Sequence, residues 1–171
     1  MSQARTRAAR RLCAAAVIGV GFAALPASAD TANGTMDVNA IVTNACIVST
    51  APVNFGSVDV TGTGQQDATG SLDVTCTSGA TWAAAADAGG TPGATVAARR
   101  MRSAGGGTLT YYLYTAIDGA TEWGNGTLGT ASIAGTGTGA ADHRAILGRV
   151  FRNQTAPAGT YTDRITVTVS Y

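Results

Sequence analysis

The 171-residue chain is poor in charge: eleven arginines, no lysine and ten acidic side chains leave a formal net charge of +1, and 23 residues are glycine. It lacks the dense basic surface that neutralises nucleic-acid phosphates and the polybasic patch that holds anionic lipid. Both partner classes are excluded, and the length suits about one domain.

The N-terminus opens with Arg5, Arg7, Arg10 and Arg11 and no acidic residue. An apolar run from Leu12 to Leu25 follows, then Pro26 and the small triplet Ala27-Ser28-Ala29. A charged start, an apolar centre and a small-residue site, in that order, make a secretory signal. The run of 14 residues is short of the roughly 20 that a membrane span needs. Cys13 stands at the start of the apolar run, whereas a lipidated cysteine would come at its end, and the twin-arginine motif is missing beyond Arg10-Arg11. Cleavage after Ala29 is expected, giving an exported chain Asp30–Tyr171 with no membrane span. Its seven arginines against ten acidic groups leave a net charge near −3.

Loss of Cys13 leaves Cys46 and Cys76. In an oxidising compartment a lone cysteine pair reads as one disulfide. A metal site would need further ligands, and two free thiols are the remaining reading. Closing a loop of about 30 residues stabilises a fold by roughly 3–4 kcal/mol on the chain-entropy account.

Period-2 alternation, the mark of a half-buried strand, recurs along the chain. Met36, Val38, Ala40 and Val42 share one parity, and Leu72, Val74 and Cys76 another. Trp82–Asp87 holds four alanines but is too short and too closely flanked by glycine for a helix, so it reads as a strand of small side chains. Leu109, Tyr111 and Leu113 alternate with Tyr112 and Tyr114, so one tyrosine is expected inward and two outward. Gly124–Gly139 reads as a long surface loop, and Ile165, Val167, Val169 and Tyr171 alternate to the last residue. Short strands with frequent turn signals indicate an all-β sandwich or barrel.

An apolar strand at the very end has nothing after it to cover its edge, which invites pairing with another chain. A spare alternating strand at the mature N-terminus supplies a complement. Head-to-tail strand addition between such ends is heterologous and propagates as a filament.

The ordered fragments Gly34-Thr35-Met36-Asp37-Val38 through Cys46, Asn54-Phe55-Gly56, Gly70–Thr77, Arg100-Met101, Leu109–Tyr114, Trp123–Gly126, Gly148-Arg149-Val150 and Gly159–Asp163 with the terminal strand resemble the spore coat protein U domain. That module builds archaic chaperone–usher pili. The resemblance covers essentially all of residues 30–171. It implies an incomplete immunoglobulin-like β-sandwich lacking its last strand and completed by donor-strand addition. A periplasmic chaperone would fill the gap first. At an outer-membrane usher, the N-terminal segment of a neighbouring pilus subunit would then replace it, giving a surface fibre of the kind that serves adhesion and biofilm. Carried onto this chain, the resemblance implies residues 1–29 as signal, 30–43 as a donor-strand extension merging into the first strand, and 44–171 as the sandwich. Met36, Val38, Ala40 and Val42 would enter the neighbour's groove. Ile165, Val167, Val169 and Tyr171 would lie along the groove and chaperone contact. Gly159 and Tyr171 echo the glycine and terminal aromatic of other chaperone–usher pilins. A spore or cell coat component, or a tip adhesin binding a surface or glycan, is the alternative.

Catalysis has little support. His143 is the only histidine and reads as a surface-loop residue, with no motif for a Ser–His–Asp arrangement. Glu122 with an aspartate, and Trp123 stacking on a sugar, would make a glycosidase, but a structural turn is the better reading. No metal-ligand cluster or cofactor motif is present. Arg99, Arg100 and Arg102 read as a solvated rim, and the Asn33, Asn125 and Asn153 sequons as turn and edge residues.

Overall fold

The structure, a computed structural model, describes residues 28–171. Most of the expected signal, residues 1–27, lies outside the described residues. The chain divides between Asn39 and Ala40. Of the first unit, residues 28–39 are exposed and carry no regular secondary structure.

The second unit is built of antiparallel strands, and no helix occurs among the described residues. The strands are β1 (Cys46–Ala51), β2 (Gln65–Cys76), β3 (Thr81–Ala86), β4 (Arg99–Ser103), β5 (Thr108–Tyr114), β6 (Ile133–Thr136), β7 (Ala141–Phe151), β8 (Tyr161–Thr162) and β9 (Val167–Ser170). Six form one sheet in the order β1-β2-β7-β5-β4-β8, and three form a second, β6-β3-β9. The long β2–β7 ladder, from Gln65 opposite Phe151 to Thr75 opposite Ala141, is the backbone of the large sheet. The sheets close over one core to which Leu72, Val74, Leu109, Tyr111, Leu113, Ile146 and Val150 contribute from one side, and Trp82, Ala84, Ala86 and Ile133 from the other.

The alternation of β2, β5 and the terminal strand is realised, and Trp82–Ala86 is a strand. Its alanines sit centrally in the small sheet, where Trp82 and Trp123 supply the missing bulk. Trp123 is buried and its indole N–H donates to the carbonyl of Ala84 at 3.0 Å, so its ring is not available to stack on a sugar. Gly135 lies opposite Trp82, and a Cβ there would fall 2.7 Å from ring atom Cε2.

Four readings are corrected. Gly124–Gly139 is not all loop, because Ile133 buries its side chain and nucleates β6 against β3. Tyr114 is buried as well as Tyr111. It lies on the outer side of the sheet but beneath the Arg149 guanidinium, 5.3 Å from its ring centre, which Asp67 holds in place at 2.7 Å. His143 lies in β7, not in a loop, with its Nδ1 2.7 Å from Asp73 Oδ1 on the exposed face. Arg99 is not on a rim: it is 1% exposed.

Met36–Val42 forms no strand, although its pattern is that of one. A strand exists through its ladder, and no described residue pairs with this segment.

Candidate functional site: an open trough at the sandwich edge

Cys46 and Cys76 are joined by the expected disulfide, directly across the β1–β2 ladder. Thr77 continues the clasp, donating its N–H to Ala45 O at 3.0 Å and accepting from the Ala45 N–H through Oγ1 at 3.1 Å. This fixes where β1 begins.

After β1 the chain leaves the outer edge and crosses the inner face of the large sheet. Two glycines make that passage possible. A Cβ on Gly70 would lie 2.8 Å from Ala51 O and Val53 Cγ2; one on Gly148 would strike Val53 and lie 2.9 Å from Phe55 Cζ. Val53 and Phe55 therefore pack down onto β2 and β7, and the Phe55 ring meets Tyr111 edge-on at 6.4 Å. The Gln66 amide holds the segment by donating to Phe55 O at 2.5 Å and Ser57 O at 3.0 Å.

Facing this segment across a gap runs Tyr161–Val169. Tyr161, Asp163, Ile165, Val167 and Val169 are half-buried, while Thr162, Arg164, Thr166, Thr168 and Ser170 are exposed. The side chains point inward, yet nothing covers them fully. Between the two walls lie adjoining clefts of about 390 Å³ and 870 Å³ that share Val53, Asn54, Phe55, Met101 and Tyr161. Their floor is core: Leu109, Tyr111, Leu113, Trp123 and Ile146. Among the described residues β1 pairs only with β2, and β9 only with β3, so the outer edge of each strand has unpaired backbone groups.

A polar network holds the second wall. Asp87 N–H donates to Thr166 O at 3.0 Å, and Thr166 N–H donates to Asp87 Oδ1 at 2.9 Å. The buried Arg99 gathers the end of β3 by donating to Asp87 O (2.8 Å), Val96 O (2.8 Å) and Ala86 O (3.2 Å). Asp163 accepts from Tyr111 Oη at 2.8 Å, and from the Gly90 and Arg164 amides at 2.9 Å each. Burial, and then the Asp163 bond, push the Tyr111 hydroxyl well above its ordinary pKa, so it remains a donor. Burial pushes the Asp87 carboxyl up, but the amides of Thr166 and Gly89 outweigh it and hold the group below its ordinary value. Burial also lowers the pKa of Arg99, opposed by Tyr111 and Asp87.

Of the expected groove residues, Ile165 and Val167 line the trough and Val169 continues their row along β9. Tyr171 lies beyond β9 and is exposed. Gly159 is not sterically required, since a Cβ there would meet nothing closer than 3.7 Å. Met36, Val38 and Val42 are 87%, 86% and 83% exposed, and Ala40 is exposed as well. Sequence reading missed Asp87, Arg99 and Asp163 as wall supports. Asp163 carried a signal, an acid on the same parity as Ile165 and Val167. Among the described residues no group of three or more His, Cys, Asp or Glu is placed to hold a metal ion, and no helix is long and apolar enough to cross a membrane.

The family model for the Spore Coat Protein U domain matches residues 32–168. The chain belongs to the spore coat protein U domain family. No curated protein gives a significant match. Among solved structures, the fold is similar to a chain of the CsuC–CsuE chaperone–tip adhesion subunit pre-assembly complex from archaic chaperone–usher Csu pili of Acinetobacter baumannii. The identity is 19%, the TM-score 0.57, and 76% of this chain is covered. The match spans 40% of that chain's length. The likeness is one of fold.

Proposed function

We propose that this chain is a structural subunit of a bacterial surface fibre. It is exported with its signal removed, held by a periplasmic chaperone, and joined to its neighbours at an outer-membrane usher by donor-strand exchange. Membership of the spore coat U family and the likeness to a chain from a chaperone–subunit complex support the general role. One observation carries the finer reading: a trough floored by core side chains, between the Val53–Phe55 segment and the wall that continues into the unpaired edge of β9, occurs in the same chain as an exposed alternating apolar segment.

The two features are complementary in chemistry. A strand laid into the trough satisfies the free N–H and C=O groups along β9 and buries alternate side chains on the floor. Met36, Val38 and Val42 each contribute about 1.5–3 kcal/mol when removed from water, with the ladder in addition. Ordering an already exposed segment opposes this by roughly 1–2 kcal/mol per residue, so the core contacts decide the outcome. The disulfide holds one wall and the Asp87–Arg99 network the other. Every step is binding, and the mechanism needs no catalytic group or cofactor.

The test is self-association of the mature chain Asp30–Tyr171 beside one lacking Asp30–Val42. Oligomers of the first and monomers of the second are expected. Equal association of the two would refute the donor role of the segment.

A further inference from the structure

The trough wall contains one interruption. In the inward row Tyr161, Asp163, Ile165, Val167 and Val169, only Asp163 carries a charge. Its carboxylate is fixed in place: Oδ2 accepts from Tyr111 Oη, Oδ1 from the amides of Gly90 and Arg164, and Gly89 lies so close that a Cβ there would be 2.8 Å from the carboxyl carbon. Both Asp163 and Tyr111 line the cleft. An occupant must therefore pass over a polar clasp that cannot swing away.

A large aliphatic side chain above that clasp would strip water from the carboxylate and offer no hydrogen bond in return, which is unfavourable. A methyl group leaves room for water beside the carboxylate. Within the alternating row Met36, Val38, Ala40 and Val42 the one small side chain is Ala40. The opposite parity, Asp37, Asn39, Ile41 and Thr43, has a single apolar member and does not suit an apolar floor. All pairs of named strands in the fold are antiparallel, and directly opposed residues share a face.

On the reading of the chain as a donor-strand subunit, we infer that Ala40 sets the register of the inserted strand by seating over the Asp163–Tyr111 clasp of a second copy. Antiparallel pairing from that point places Val42 opposite Tyr161, Val38 opposite Ile165 and Met36 opposite Val167. The three larger side chains then meet the apolar parts of the wall. A shift of two residues either way would put Val38 or Val42 on the carboxylate.

Cysteine cross-linking reads the register directly, because only opposed positions approach closely enough to bond. Three double variants of the mature chain are compared under oxidation: Val38→Cys with Ile165→Cys, Ala40→Cys with Ile165→Cys, and Met36→Cys with Ile165→Cys. A ladder of covalent oligomers from the first pair alone is expected. A ladder from either of the other two, with none from the first, overturns the register while leaving donor-strand assembly standing. Oligomers that assemble with no cross-link from any pair also overturn it. Monomers in every variant, and in the unaltered chain, contradict donor-strand assembly itself.

A second variant separates register from fit. Ala40→Leu is expected to slow assembly roughly tenfold or more, the effect of leaving a buried acceptor poorly solvated, whereas Val38→Leu leaves the rate near that of the parent. Residues 38 and 40 are exposed in the isolated chain, so neither substitution disturbs its folding. Equal rates for Ala40→Leu and the parent would overturn the role of Ala40.

Discussion

Asp87 and Thr166 hold each other twice: the Asp87 N–H donates to Thr166 O at 3.0 Å and the Thr166 N–H donates to Asp87 Oδ1 at 2.9 Å. This pair ties the end of β3 to the trough wall at the residue immediately before β9. Asp87→Ala removes the acceptor and leaves the Thr166 and Gly89 amides without that partner. A loss of about 1–3 kcal/mol is expected, read by urea denaturation. Amide exchange should rise along Thr166–Val169, and Asp87→Asn should recover part of the loss. Unchanged exchange in that segment would show that the wall is held elsewhere.

Acid should weaken the fold through the same carboxylate. Asp87 and Asp67 have folded pKa values below the ordinary 3.8: the first through amide hydrogen bonds that overcome burial, the second chiefly through the Arg149 hydrogen bond. A depressed folded value gives stability that is present above the unfolded pKa and lost as pH falls through the folded one. The melting temperature should therefore be flat through neutral pH and drop below about pH 4. At the alkaline end Tyr111 acts in the opposite sense. Its folded pKa is raised above the ordinary 10.0, so stability declines once pH passes the unfolded value. Burial raises the Tyr114 hydroxyl as well, so in Tyr111→Phe thermal melting followed against pH should show a smaller alkaline decline than the parent.

The disulfide secures the first wall. Replacing both Cys46 and Cys76 with serine should lower unfolding stability by about 2–4 kcal/mol. The urea midpoint should fall accordingly, with the slope read separately for any change in the unfolded state.

Gly148 is the floor on which Val53 and Phe55 rest. Gly148→Ala places a methyl within 2.9 Å of Phe55 Cζ, a clash with an expected penalty of roughly 1–3 kcal/mol. Because Phe55 shapes the trough, assembly should slow as well. Gly34→Ala, where a Cβ meets nothing within 4 Å, is the matched control and should be neutral.

Much of this fold was legible as period-2 alternation, because β2, β5 and the terminal strand each have one buried face. β6 was not, since Ile133 is its only large apolar residue within a Gly/Thr run. The trough wall was hidden differently. Val53 and Phe55 share a parity that breaks at Gly56-Ser57 before Val58 and Val60. The glycines that let it cross, Gly70 and Gly148, look ordinary within their own strands. Arg99 was misread because a charge is normally solvated, and two of its three carbonyl partners, Ala86 and Asp87, lie at the end of β3, twelve or more residues away in sequence. The Met36–Val42 pattern was legible as a strand, but a pattern states what a segment can pair with, not whether the partner is in the same chain.

The most direct test of the account is complementation between two disabled chains. Val38→Asp with Val42→Asp disables the inserted segment, and Ile165→Asp with Val167→Asp disables the trough. Each variant alone should sediment as a monomer. Mixed, they should form a one-to-one heterodimer, in which the intact segment of the second fills the intact trough of the first, and nothing larger. Two unmixed monomer species after combination, or longer oligomers from either variant alone, would contradict the account.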